Sequence, residues 1–328
     1  MRYGVSVVIP SYNYGDFISN AIDSVLAQAN VDVDLIVVDD GSTDRTPDVL
    51  RTYGERIRVY RQENAGAASA KNLGIEKARH PLITFLDADD WLLEDSLFRR
   101  CQLLDMYPEY DWVYGKWLIA SHDGNIVGNS NEFFRHPDGV LEGDVFPSLM
   151  SGYAGINTLT PLFRTSDVRE IGGFCTRYQA AEDYDFLLRI SRGKRVLFSD
   201  ELFGVQRLHH SHLSANPEFR YLAEIKMLQG YRTDTEARQY LEPSYHGRLS
   251  NLYNYLACIY SEEGKMFLSC KAALLSIRHK PLQRFAYRFL FYTLTGRPEE
   301  ARSTVKNRVM QIYSRIKRRQ DFDDGRAD

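Results

Sequence analysis

The chain has 328 residues, 44% of them hydrophobic and 12% aromatic, with 41 Lys and Arg against 44 Asp and Glu, a formal charge of −3. This length and apolar content exclude a disordered chain and suit one large domain with an appendage, or two cores. The near-neutral total conceals a separation. Residues 278–320 hold 12 Lys/Arg against two Glu (+10), residues 1–277 hold 28 basic against 38 acidic groups (−10), and residues 321–328 add −3. The four Cys (Cys101, Cys175, Cys258, Cys270) form no C-x-x-C pair and read as buried thiols of a reducing compartment. The opening MRYGVSVVIPSYNYG has an apolar run of five residues and does not resemble a signal peptide. No stretch reaches the roughly 20 apolar residues of a membrane span. The expectation is a cytoplasmic protein, lying at most on the cytosolic face of a membrane.

Strand and helix signals alternate over the first hundred residues. The short β-branched run 5–10 reads as a buried strand, and 16–28 follows with apolar residues at helical spacing. A second buried strand at 33–39 ends in Asp40-Gly41-Ser42. Helix 46–53, strand 56–61, helix 67–78 and strand 82–86 continue the series, and a helix is expected over 91–104. The alternation predicts an α/β fold with a mostly parallel sheet, whose ligands bind beyond the carboxyl ends of its strands. Residues 110–205 are mixed, with short strands at 112–116 and 196–198 and a helix over 183–191. From Pro217 the pattern is helical, at 219–230, 248–263, 265–278, 282–294 and 299–318. Residues 253–281 have the spacing of one tetratricopeptide unit, expected to form a packed helical hairpin.

Three strand ends carry the candidate chemistry. Asp87-Ala88-Asp89-Asp90 follows strand 82–86, and three carboxylates within four residues repel one another unless a divalent cation or several donors neutralise them. Asp90 has a second possible task, capping the helix that follows. Asp39-Asp40 closes the second strand, where an acid commonly meets a nucleotide's ribose or base. The small-residue segment 64–72 opens a helix and lets a ligand approach closely. Ala181-Glu182-Asp183-Tyr184-Asp185 begins helix 183–191, and residues 207–214 hold three of the eight His without zinc-ligand spacing.

Six ordered blocks, SVVIPSYNYGDFISNAIDSVLAQ, LIVVDDGSTDRT, ENAGAASAKNLGI, ITFLDADDW, GGFCTRYQAAEDYDFLLRI and RLHHSHLS, resemble glycosyltransferase family 2. These are inverting, nucleotide-sugar-dependent enzymes of GT-A fold, and the resemblance covers residues 3 to about 215. It implies a Rossmann-like, mostly parallel sheet flanked by helices, to which the pattern after Pro217 adds an all-helical appendage. The expected catalytic domain is 1–215, with a nucleotide-sugar half to about residue 105 and an acceptor half beyond it. Residues 216–328 are expected to carry the hairpin and a basic amphipathic helix.

The resemblance places Pro10, Tyr12, Asp40, Gly66, Lys71 and Asp87 around the nucleotide. Members often have Arg where this chain has Lys71, and Lys lacks the planar fork. It makes Asp89 a ligand of Mn²⁺ or Mg²⁺, puts His209 near the metal with His210 and His212 as alternatives, and makes Asp183 the catalytic base. The implied donor is a nucleotide sugar, a UDP-sugar by preference, and the acceptor a glycan or lipid-linked glycan. Charge chemistry agrees, since a leaving diphosphate needs a carboxylate-held cation and an acceptor hydroxyl needs a base. Trp112, Tyr114, Trp117, Tyr153 and Phe163 offer flat surfaces for sugars, and at least half of them are expected in the core.

A related nucleotidyltransferase fold needs a Gly-rich basic signature after the first strand, where this chain has Ser11-Tyr12-Asn13-Tyr14. A non-catalytic helical scaffold is the other alternative. The basic segment 282–320 has an apolar stripe among cations and is expected either to meet an anionic membrane or to pack on the acidic body. No recognised motif accompanies the charge, so nucleic acid is not an expected partner.

Overall fold

The computed structural model describes residues 2–131, 140–152, 155–208, 217–282 and 284–294. The chain divides into two compact units, Met1–His210 and Ser211–Asp328. The first contains β1 (Tyr3–Ser11), α1 (Ile18–Leu26), β2 (Val31–Asp39), α2 (Thr46–Thr52), β3 (Arg58–Arg61), α3 (Ala67–Lys77), β4 (Leu82–Phe85), β5 (Trp91–Leu92) and α4 (Ser96–Met106). It continues with β6 (Trp112–Ala120), β7 (Ile126–Asn129), α5 (Phe146–Ser151), β8 (Phe163–Arg164), α6 (Thr165–Glu170), α7 (Glu182–Ser191) and β9 (Val196–Arg207).

The main sheet has the order β3-β2-β1-β4-β8, parallel throughout except for β8. Val5 of β1 lies opposite Val33 on one side and Leu82 on the other. These strands are near-continuous β-branched runs because both faces are covered: Val5, Val7, Val8, Ile9, Ile36, Val37 and Val38 are all fully buried. Gly74 lets α3 close on the sheet, since a Cβ there would stand 2.2 Å from a Val8 methyl. The chain leaves β1 for β2 on one side and returns to β4 on the other. The crevice between the carboxyl ends of β1 and β4 is therefore the switch point of the sheet, the expected ligand position.

A second sheet, β5-β9-β6-β7, is broader than the short strands expected at 112–116 and 196–198. Trp91 and Leu92 form β5, opposite Val205 and Gly204 of β9, where the sequence suggests a helix beginning at residue 91. The helix α4 begins only at Ser96, after Asp95 in the left-handed region. Asp90 therefore caps no helix; its carboxylate accepts the Arg207 amide N–H at 2.9 Å. The first unit is the expected GT-A type of α/β fold.

The second unit contains α8 (Pro217–Tyr231), α9 (Thr235–Glu262), α10 (Met266–His279) and α11 (Arg284–Leu294). Asp234 caps α9 by accepting the Ala237 amide at 2.9 Å. The sequence suggests a start at 248, and Pro243 lies ahead of that point, a residue that costs about 3 kcal/mol inside a helix. The helix nevertheless runs through it, because Ala237, Leu241, Tyr245 and Leu249 are buried at i+4 spacing. Gly264, at φ +72°, turns the chain into α10. Ser250, Ala257, Ser269, Ala273 and Ser276 are all buried in this hairpin, with the Ser269 hydroxyl on the Ala257 carbonyl at 2.7 Å. The helix expected over 299–318 lies outside the described residues.

Candidate active site

Loops at the carboxyl ends of β1 and β2 are latched together before any ligand is considered. The Asn13 amide, at φ 60°, donates to the Ser42 hydroxyl at 2.9 Å, and its side-chain oxygen accepts the Thr43 N–H at 2.8 Å. Asp39 accepts the Ser42 N–H at 2.9 Å and pairs with Arg61 at 3.1 Å. Asp40, 3% exposed, uses both oxygens on the loop ahead of α3: Oδ1 accepts from Gln62 Nε2 at 2.6 Å and Ala65 N at 2.9 Å, and Oδ2 from Gly66 N at 2.8 Å. Gly66 adopts φ 89° and ψ 163°, open to glycine and strained for other residues. Asp40 and Gly66 are thus one device, a carboxylate clamping a turn. Pro10 is buried in β1, and Tyr12 beyond it is 42% exposed.

The acidic trio follows β4. Asp89 and Asp90 are buried, whereas the Asp87 side chain is 45% exposed. Burial, then the Asp89 and Asp87 charges, push the Asp90 carboxyl well above the usual carboxylate range. Burial first, and then the same acids, raise the Tyr14 phenol. Arg207, at the end of β9, holds this loop: its Nε donates to the Asp89 carbonyl at 3.1 Å and an NH group to the His122 carbonyl at 2.7 Å. Its guanidinium lies 4.8 Å from the Trp91 ring centre and 5.3 Å from that of Phe17.

Asp183 sits in the first turn of α7, joined to the acidic loop after β4 by Lys71 of α3. Lys71 Nζ donates to Asp183 Oδ1 at 2.7 Å and lies 3.6 Å from Asp87 Oδ1. Lys71 is 1% exposed; burial opposes its charge, but Asp183, Asp87 and Glu182 outweigh burial and keep it an ammonium. The Thr158 hydroxyl donates to the other Asp183 oxygen at 3.3 Å. Beside it, burial and the Asp183 charge push Glu182 up to about 7, and Glu182 Oε2 is buried without a hydrogen-bond partner.

The sequence-expected residues Lys71, Asp87 and Asp183 therefore meet within one ammonium's reach, and Asp89 lies in the same loop as Asp87. His209, with His210 and His212, lies outside the described residues, as does Tyr153. Trp112, Tyr114, Trp117 and Phe163 are core residues, each 3% exposed or less. Sequence reasoning missed Arg207 and Thr158. Arg207 opens the RLHHSHLS block, where the histidines draw attention; Thr158 carries no local signal at all.

A divalent cation is tested against this donor set. Asp87 and Asp89 supply hard carboxylate oxygens; the Asp90 carboxyl beside them is raised by burial first and by their charges second, and a cation relieves only the second effect. The residues fit. Among the described residues, no group of three or more His, Cys, Asp or Glu side chains is arranged to hold a metal.

Residues 6–159 match the profile of glycosyl transferase family 2. An uncharacterized glycosyltransferase of Rickettsia typhi is 30% identical over 230 residues, 68% of this chain and 70% of the relative. In a Rickettsia felis relative, 29% identical, the match spans only 34% of that protein's length. Among solved structures, Staphylococcus aureus TarS 1–349 in complex with UDP-GlcNAc superposes with a TM-score of 0.63 at 18% identity, covering 93% of this chain and 90% of that one. The mannosyltransferase PcManGT of Pyrobaculum calidifontis, in complex with GDP-Man and Mn²⁺, gives 0.57 at 19% identity, covering 94% and 87%. Fold and sequence relatives define a glycosyltransferase. The chain belongs to glycosyltransferase family 2, which decides between this reading and those of a nucleotidyltransferase or a scaffold.

Proposed function

We propose that the protein is an inverting glycosyltransferase that moves a sugar from a UDP-sugar to a hydroxyl of a glycan or lipid-linked glycan. The observation that carries this reading is the single ammonium of Lys71 touching both Asp87 and Asp183, which brings the end of β4 and the start of α7 to one point. Pro10, Tyr12, Asp40, Gly66 and Asp87 surround the nucleotide, with Lys71 at the edge of this pocket and its ammonium bonded to Asp183. Tyr12 offers an exposed ring, and Asp40 shapes the wall through the Gly66 turn. Asp89, with His209 as a second candidate ligand, holds Mn²⁺ or Mg²⁺, which when bound neutralises charge on the leaving diphosphate.

Asp183 takes the acceptor's hydroxyl proton. The acceptor oxygen bonds to the anomeric carbon as the bond to the diphosphate oxygen breaks, and the leaving group departs with the electron pair. One displacement inverts the centre. A thermal-shift series with UDP-GlcNAc, UDP-glucose, UDP-galactose and GDP-mannose, each with and without Mn²⁺, tests the donor side. The reading expects a metal-dependent rise in melting temperature with a UDP-sugar; no rise with any of the four removes it.

A second reading concerns place. No helix among the described residues is long and apolar enough to cross a membrane. The outer face of α11 carries Arg284, Tyr287, Arg288 and Phe291 at helical spacing, with Leu282 ahead of it almost wholly exposed. Cations alternating with exposed apolar side chains support contact of residues 282–320 with anionic lipid at a cytosolic membrane face, where lipid-linked acceptors reside. Flotation with phosphatidylglycerol vesicles at low salt tests this: the full-length chain rises with the vesicles, and failure to do so discards the contact.

A further inference from the structure

We propose that Lys71 is a positioning residue for Asp183, setting the orientation of the carboxylate that accepts the acceptor's proton. The proposal rests on Asp183 being the base. A carboxylate has about four lone-pair sites and turns freely about its last torsion unless both oxygens are held. Among the described residues each oxygen has one protein donor: Lys71 Nζ on Oδ1 at 2.7 Å and the Thr158 hydroxyl on Oδ2 at 3.3 Å. The group is fixed in plane, and a lone pair on each oxygen remains for an incoming hydroxyl.

The clamp is itself rigidly mounted. Lys71 lies inside α3 with its ammonium 5.1 Å from the Phe174 ring centre. The next residue, Asn72, donates from Nδ2 to the Phe174 carbonyl at 2.8 Å and accepts the Phe174 amide at 2.7 Å, so helix and ring move as one. On the other side, the Thr158 backbone leads directly into a segment gripped from below. The Arg100 guanidinium donates to the Thr160 and Pro161 carbonyls at 2.9 and 3.0 Å while completely buried. Burying the Lys71 ammonium is costly unless it is paired, and at 1% exposure it does not serve as an ordinary surface charge. Its 3.6 Å approach to Asp87 links the base's holder to the donor pocket, so the geometry on one side constrains the other.

A nucleotide contact at Lys71 and a positioning role predict different kinetics. The experiment uses full-length chains carrying Lys71→Met, Lys71→Arg and Thr158→Val. It measures turnover of whichever of UDP-GlcNAc, UDP-glucose, UDP-galactose and GDP-mannose the wild-type chain hydrolyses fastest, with the donor Kd from calorimetry. Positioning predicts that Lys71→Met lowers kcat by about 30- to 100-fold, as expected for a misplaced catalytic group, with donor Kd changed less than about threefold. It also predicts that Lys71→Arg recovers a substantial part of kcat and that Thr158→Val lowers kcat about 5- to 10-fold.

A donor Kd weakened more than about tenfold in Lys71→Met, with kcat retained at saturating donor, overturns the proposal in favour of a nucleotide contact. If Lys71→Met does not fold, wild-type kcat in Thr158→Val overturns it alone. Asp183→Asn, run in parallel, separates the parent reading: turnover surviving there removes the base assignment, whereas loss there with normal kcat in Lys71→Met removes only the positioning role.

Discussion

Arg207 and Asp90 lock the acidic loop to the second sheet: the Arg207 amide donates to Asp90 Oδ1 at 2.9 Å across 117 residues of chain. The guanidinium of the same residue holds the carbonyls of Asp89 and His122. Three carboxylates at a strand end resist being packed together, and this cation with its backbone N–H steadies them from behind. The loop's front is left to face the crevice between β1 and β4.

Arg207→Met tests this support. The buried Asp89 carbonyl loses its donor, at about 1–3 kcal/mol, the more exposed His122 carbonyl loses one at smaller cost, and the side chain's contacts with Trp91 and Phe17 are thinned. The expected outcome is a drop in unfolding free energy of about 2–4 kcal/mol, seen in urea titration, with weaker Mn²⁺-dependent donor binding. A variant with wild-type stability shows that the loop stands without Arg207.

Asp89→Asn separates metal dependence from folding. Asn keeps the shape of a 2% exposed side chain but gives up its charge. The wild-type chain is expected to gain several degrees of melting temperature when Mn²⁺ joins a UDP-sugar, by mass action on the native state. The variant is expected to lose that metal increment while its own melting temperature changes little or rises, because like-charge repulsion with Asp90 falls. An undiminished Mn²⁺ increment in Asp89→Asn takes Asp89 out of the metal site.

Much of this site is legible in the sequence, for a physical reason. Strands β1, β2 and β4 are buried on both faces, so they are short β-branched runs, and the acids that end them stand out against that background. Asp183 is visible because it opens an amphipathic helix. The second sheet is not legible: β9 reads VLFSDELFGVQR, with charged residues among apolar ones, and its pairing with β6 shifts register around Lys116. Trp91 and Leu92 carry helical periodicity into residues 91–104, yet pairing with Val205 and Gly204 overrides it. The partners that define the site are far apart in sequence, 112 residues for Lys71 and Asp183, and no local pattern encodes that meeting.

Gly66→Ala probes the turn that Asp40 clamps. At φ 89° and ψ 163°, an alanine is strained by about 1–3 kcal/mol. Its Cβ meets only the end of Gln179 at 3.8 Å, so crowding adds nothing. The expected result is a stability loss of that size together with at least severalfold weaker donor binding, because relaxing the turn breaks the Ala65 and Gly66 N–H bonds to Asp40. Calorimetry with a UDP-sugar measures the second effect. Unchanged affinity in a destabilised variant places the turn outside the donor pocket.

Glu182 gives the pH test. Its carboxyl is raised from 4.5 to about 7 in the folded chain, by burial first and then by Asp183, while Lys71 partly offsets both. Below about pH 4.5 the group is protonated folded and unfolded, and contributes no difference. Between about 4.5 and 7 the unfolded chain releases the proton and the folded chain keeps it, so stability falls as pH rises; above about 7 the full cost is present. Glu182→Gln removes the titration while keeping the shape. The melting temperatures of variant and wild type should lie close together near pH 4.5. They should separate through this window and run parallel by pH 8, with the variant more stable by about 2–3 kcal/mol. A gap that stays constant from pH 5 to pH 8 means that Glu182 ionises in the folded chain as freely as in the unfolded one.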